Sequence, residues 1–548
     1  MRIISLLVFI FCFNCLVFAQ NNIDVLHYKF NIGLNDVNDT IYGLTEITLA
    51  NPRFANIDLD LTSNSKGRGM VVDSVWINRG KGYFLVPNSD TQISFYKYSN
   101  NKLSVIYGLD KMDVAQERLK LKDTFKLLIH YHGIPADGLI ISKTKYGHRS
   151  FFADNWPNRG HNWIPCHDDP ADKATVEFVV TAPEHYQVVA NGVQIEETSL
   201  GNGFKLTHWK EDTPISTKVM VIGAADFAVN LAGVVNGNIP VYSWVYPENK
   251  DKGFYDYAMA KDILPFFINN VGPYGYKKLA NVQSKTRFGG LENANTIFYS
   301  ESSVSGTRKS EGLLAHEIAH QWFGNMATEK SFGHLWLSEG FATYFTILYF
   351  ENKYGKDTAI QMLKEDRDQV IAYSKESKKA VVDTEETDYM KLLNPNSYPK
   401  GGWVLHMLRS ELGDSVFWRS IRKYYSTYAG GVADTRDLQK VFEEVSGNKL
   451  SQFFKQWLYT TGQPNLSIQW NYNSQSKEIT VTINQQQSIE FNFPLEISLK
   501  YPSEKEETQK VYIDKKSQVF TFKVKERPTS IIVDPDTKLL MQSSIKEK

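Results

Sequence analysis

The chain has 548 residues, of which 42% are hydrophobic, 22% charged and 13% aromatic, which is ordinary globular usage. That length is too great for one hydrophobic core and fits roughly three or four domains. Basic and acidic residues number 61 each, so the formal net charge is +0, and no charge excess points to nucleic acid or an acidic membrane surface as a partner.

The first twenty residues, "MRIISLLVFIFCFNCLVFAQ", carry one charge at Arg2, then an apolar run, then Val17-Phe18-Ala19. Small residues at these spacings suit a signal peptidase, so residues 1–19 read as a signal peptide cut after Ala19. The expected destination is a periplasm or the extracellular space. The run is short for a membrane anchor and no basic stop follows it. Phe13-Asn14 ahead of Cys15 argues against a lipid anchor. No stable membrane insertion is expected after cleavage. Cys12 and Cys15 would leave with the signal, so Cys166 remains alone and no intramolecular disulfide can form.

Residues 20–229 read as a large antiparallel β domain. "HYKFNIGL", "FKLLIHYHG" and "ATVEFVVTA" show period-two alternation or short β-branched runs separated by turn residues. From about 230 to 464 the apolar spacing becomes helical, as in "SEGLLAHEIAHQWFGNMA", "LWLSEGFATYFTILYFENKYG" and "TRDLQKVFEEVSG". Several of these stretches end at or just before a glycine, as helix C-termini often do. "GQPN" at Gly462–Asn465 breaks the pattern. Residues 465–548 alternate again and read as a small β-sandwich. The whole is a multidomain α+β protein.

Within the helical region, "AHEIAHQWFG" places His316 and His320 four residues apart, on one helix face, where two imidazoles can reach one metal ion. Glu317 points to a neighbouring direction, suited to a water rather than to the metal. A hydrolytic zinc site usually takes a third protein ligand. Eighteen residues separate His320 from Glu339, enough for the first helix to end and a second to return. An acid among Trp336, Leu337, Phe341 and Tyr344 is costly unless it is paired or bound to a cation.

HExxH, this spacing and then Glu resembles the gluzincin aminopeptidases of the aminopeptidase N and leukotriene epoxide hydrolase family. "FGGLEN" (Phe288–Asn293) is similar to their GxMEN exopeptidase motif, with Leu291 in place of Met. "SYPKGGWVLHML" resembles the segment carrying their catalytic tyrosine, which falls on Tyr398. "WIPCHDDPADKA" and "LSQFFKQWLYTTGQPNL" resemble further signatures, in the family's order. The resemblance implies a thermolysin-like catalytic domain and one Zn2+ per chain, held by His316, His320 and Glu339. It implies Glu317 as general base, Tyr398 as oxyanion donor, and Glu292 as anchor for the free amine of a peptide substrate. Gly289, Gly290 and Asn293 would join the substrate site. The family's Gln-x-Glu pair is missing: Asp154, Asn155 and Trp156 stand in that stretch, and Asp154 is expected to help hold the amine.

The function implied is zinc-dependent removal of N-terminal residues from peptides. Two alternatives are an epoxide hydrolase on the same zinc site and a non-catalytic peptide-binding scaffold.

Overall fold

The structure, a computed structural model, describes residues 23–50, 56–78, 83–86, 88, 94–107 and 124–548. The expected signal peptide, residues 1–19, lies outside the described residues.

The N-terminal domain is built on an eight-stranded sheet. Its order is Val193–Ser199, Phe204–Ser216, Lys173–Pro183, Val25–Gly33, Ile41–Ala50, Thr124–Ile134, Gly69–Asn78 and Tyr83–Val86. Alternate residues are buried along each inner strand, as the period-two pattern requires: Phe30 faces Phe178 across one pair, and Ile47 faces Leu127 across another. The sheet is antiparallel as expected except at one pair, where Val25–Gly33 runs parallel to Lys173–Pro183. Well over a hundred residues connect these two strands, so no hairpin dictates their direction. Two smaller sheets complete the domain. One orders Gln187–Ala190, Ile222–Ala225, Arg149–Ala153 and Leu139–Lys143; the other orders Asn56–Asp60, Lys102–Tyr107 and Ser94–Ser99.

The catalytic domain opens with a sheet that helical periodicity does not announce. Its order is Ala228–Val235, Ile239–Val245, Leu279–Ser284, Thr296–Ser300 and Gly290–Leu291. Leu279–Ser284 pairs in parallel on both sides and is buried at every position, so it shows no alternation to read. The rest of the domain is helical. The longest segments are Trp336–Tyr354 and Lys356–Glu376, and Thr435–Ser446 starts at a capping box between Asp434 and Asp437 and ends before Gly447 at φ 73°. The C-terminal sandwich packs a four-stranded sheet, ordered Ser517–Lys523, Glu478–Gln485, Asn465–Asn473, Gln542–Glu547, on a three-stranded one, ordered Glu506–Ile513, Phe493–Lys500, Ser530–Val533.

Buried polar groups tie the domains. Lys218 of the N-terminal domain pairs with Glu329 of the catalytic domain, and both side chains are almost wholly buried. Lys173 Nζ donates to the carbonyls of Asn325 at 2.9 Å and Met326 at 2.8 Å. Removing one partner of such a pair leaves a buried charge uncompensated, at a cost of roughly 3–5 kcal/mol. At the other junction, His406 of the Gly401–Leu412 helix donates from Nε2 to the Thr537 carbonyl at 2.9 Å. Its Nδ1 then accepts from the Tyr344 hydroxyl at 3.0 Å.

That arrangement needs neutral His406. Burial, aided by the Arg409 charge, holds its pKa down at about 4. The unfolded chain takes up a proton near pH 6.5, whereas the folded one does not until about 4. Stability therefore falls as pH drops through this window, by roughly 2–3 kcal/mol from this group. Thermal unfolding at pH 7.5 and 5.0 should show a smaller acid loss in His406→Gln than in the wild type; equal losses would contradict this account.

Candidate active site

The Glu311–Ala319 helix presents His316, and His320 caps its C-terminus. The Nε2 atoms of the two rings lie 3.1 Å apart, and Glu339 Oε2 lies 3.3 Å from the first and 3.2 Å from the second. Three donors at these separations match one face of a tetrahedron whose centre is about 2.0 Å from each, the bond length zinc takes with nitrogen and oxygen. His320 Nδ1 donates to the Phe323 carbonyl at 3.1 Å, and the Ser338 hydroxyl stands 3.0 Å away. These contacts fix the tautomer that turns the Nε2 lone pair inward.

Glu339 is 4% exposed and sits in the first turn of Trp336–Tyr354, where the helix dipole favours a carboxylate. Burial opposes its ionisation, yet His320 and His316 hold its pKa below the usual carboxylate range. Burial lowers the pKa of His316, with the His320 charge acting in the same direction. The residues fit a divalent cation: two ring nitrogens face each other across 3.1 Å with a buried carboxylate completing the set.

Glu317, on the same helix, is 5% exposed. Burial, together with Glu292 and Glu339, pushes its pKa well above the usual glutamate value. Carboxylate oxygens of Glu292 and Glu317 and a ring nitrogen of His320 all lie within 4.8 Å of one another. Glu292 follows the edge strand Gly290–Leu291, and its Oε1 is buried without a hydrogen-bond partner among the described residues. Its backbone is held instead: Gln321 Nε2 at 3.1 Å and Asn325 Nδ2 at 2.6 Å both donate to the Glu292 carbonyl. Gln321 and Asn325, just past the HExxH motif, thus lock the Gly290–Leu291 strand to the Glu311–Ala319 helix.

Tyr398 lies in a widened turn, Asn396–Lys400, leading into Gly401–Leu412. Its ring stacks on His316 at 6.0 Å and 11°. Burial, and then Glu339, raise its pKa, so the hydroxyl keeps its proton. Gly340 sets its placement. A Cβ there would press on the Gly401 backbone at 2.8 Å, so the two helices approach through their glycines.

A cavity of about 440 Å³ gathers His316, Glu317, His320, Glu339, Tyr398, Glu292, Gly289 and Gly290. Two expected substrate contacts are corrected. Asp154 is fully buried and does not line the cavity: its carboxylate pairs with Arg159 and accepts from Arg287 N at 3.1 Å and the Thr286 hydroxyl at 3.3 Å. Asn293 is likewise fully buried and does not line the cavity, although its N donates to the Leu291 carbonyl at 2.9 Å in the tight turn that carries Glu292. Of the three residues in the Asp154–Trp156 stretch, Trp156 lines the cavity, joined by Phe288, Leu313 and Leu393. Phe288 opens the FGGLEN motif and Trp156 stands in the stretch that replaces the Gln-x-Glu pair, whereas composition and motif gave no signal for Leu313 and Leu393.

Comparison with known proteins agrees with this geometry. The sequence profile described as "Peptidase M1 N-terminal domain" matches residues 71–219, and that described as "Peptidase family M1 domain" matches residues 255–457. Aminopeptidase M1 of Arabidopsis thaliana is 27% identical over 441 residues, covering 75% of this chain and 48% of its own. Glutamyl aminopeptidase of Bos taurus is 26% identical over 335 residues, covering 58% and 34%. The crystal structure of Legionella pneumophila aminopeptidase A in complex with aspartic acid superposes with a TM-score of 0.78 at 16% identity, over 96% of this chain and 60% of that one. At that identity the likeness is one of fold. The matched segments span about a third to a half of the curated relatives' length.

The Gly290 contact yields a direct test. A Cβ at position 290 would collide with the Glu317 carboxylate. Gly290→Ala should lower kcat by about 10²–10³ while the bound-metal content stays at the wild-type level. Wild-type turnover in this variant would show that Glu317 is not confined as described.

Proposed function

The chain belongs to peptidase family M1, and from that premise we propose that it is a zinc-dependent aminopeptidase, hydrolysing the N-terminal bond of peptides with a free amine. The observation that carries the reading is the orphaned Oε1 of Glu292, a buried acceptor in the same cavity as a three-donor metal cluster. A substrate ammonium supplies the missing donor, and the charge-assisted pair fixes the peptide's end. With its end fixed there, the chain has room for one residue before the reacting bond.

His316, His320 and Glu339 would hold the zinc ion, one per chain. When bound, zinc supplies Lewis acidity and lowers the pKa of water at neutral pH. Glu317 takes the proton of the attacking water and delivers it to the leaving amine; its raised proton affinity suits both halves of that transfer. Tyr398 donates a hydrogen bond from its hydroxyl to the carbonyl oxygen as negative charge develops there. Gly289 precedes and Gly290 opens the edge strand Gly290–Leu291 of the catalytic sheet, and both line the cavity in which a peptide backbone would lie.

The epoxide-hydrolase alternative is not favoured, since the matched relatives are named aminopeptidases. The scaffold alternative has against it that the ligand and base positions are all filled. Export is part of the proposal and rests on the signal-like residues 1–19.

One short peptide, free or acetylated at its N-terminus, tests the reading. The free form should be cleaved one residue at a time and the acetylated form left intact. Equal cleavage of both would make the protein an endopeptidase and remove the role of Glu292. Glu317→Gln should lose about 10²–10⁴ in kcat with zinc retained; unchanged turnover would refute its role as base.

A further inference from the structure

The cavity has a second wall that the hydrolytic chemistry does not use. Trp156, Phe288, Leu313 and Leu393 form it. Trp156 meets Phe288 edge to face at 6.0 Å and is backed by Phe332 at 6.1 Å, so the aromatic surface is braced from behind. The cations beside this wall are already neutralised. Arg159 lies over the Phe288 ring at 5.8 Å, pairs with Asp154 and reaches Asp137 at 3.5 Å. Arg287, next to Phe288 in the chain, also pairs with Asp137. The cavity's carboxylates are committed as well: Glu339 to the metal cluster, Glu317 to proton transfer and Glu292 to the substrate ammonium.

Among the described residues, an acidic side chain entering here finds no unpaired cation and a basic one no spare carboxylate; the one unpartnered donor of the wall, the Trp156 indole N–H, is neutral, so either charge would lose its water without an opposite charge in return. A large apolar side chain meets rings and isobutyl groups instead. We propose that this wall receives the side chain of the peptide's N-terminal residue and selects large apolar or aromatic residues, with Phe288 and Trp156 as specificity-determining residues. The proposal rests on the aminopeptidase reading above. It separates this chain from the relative whose name, glutamyl aminopeptidase, specifies an acidic residue.

The test is kcat/KM of the zinc-loaded full chain on peptides X-Ala-Ala-Ala, with X as Leu, Phe, Ala, Glu or Arg. Leu and Phe should exceed Glu and Arg by about 10²-fold. Phe288→Ala should shrink the Phe-over-Ala ratio by about 10-fold with zinc content unchanged. Should that variant misfold, Phe288→Leu reads the same contact through a changed Phe-over-Leu ratio. A flat profile, or Glu or Arg cleaved as fast as Leu, overturns this inference and leaves the aminopeptidase standing. No cleavage of any free peptide overturns the function itself, and this inference with it.

Discussion

Two helix backbones meet where Gly340 faces Gly401, and the geometry of the site depends on that contact. Glu339 precedes one glycine and Tyr398 stands three residues before the other. With no side chains between the backbones, Glu339 and Tyr398 fall on the same cavity. The second ligand-bearing segment, Glu311–Ala319, packs on the same Trp336–Tyr354 helix, and Ser338, one residue before Glu339, steadies His320. One helix therefore sets the relative positions of both histidines, the glutamate and the tyrosine. Further glycines serve the same end: Gly290 leaves space for Glu317, and Gly324, at φ 114°, leaves space for Ser338.

The electrostatics of the pocket follow from what it buries. Glu292, Glu317 and Glu339 are all at most 5% exposed, with two imidazoles beside them. No lysine or arginine lines the cavity. Such a surplus of buried carboxylate is unfavourable until cations arrive. On the function proposed above, a metal ion would answer for Glu339 and a substrate ammonium for Glu292, which leaves Glu317 to accept the proton of the attacking water. Lys218, buried elsewhere, is matched by its own acid, Glu329, and keeps away from this balance.

The metal cluster was legible in the sequence because helical spacing and chemistry coincide there: residues four apart share a face, and an acid within an apolar helix needs a cation. The outer architecture was legible for a similar reason, since alternation marks half-buried strands. Legibility failed where direction in space is not encoded locally. Asp154 sits in the right stretch, but Arg159, five residues on, captures its carboxylate, and Trp156 takes the cavity instead. Asn293 neighbours Glu292, yet only Glu292 lines the cavity while Asn293 is fully buried. Leu279–Ser284 is buried on both faces and so shows no period. The parallel pairing of Val25–Gly33 with Lys173–Pro183 depends on segments too distant in the chain for any local pattern to fix.

Trp156 reaches the cavity from the N-terminal domain, whereas the metal ligands, the base and the tyrosine all come from the catalytic domain. The other members of the apolar wall, Phe288, Leu313 and Leu393, belong to the same domain as His316, Glu317 and Tyr398, so the selectivity proposed above would be read jointly by two domains, and a change in how they dock would alter which side chain fits while leaving the three-donor cluster as it is.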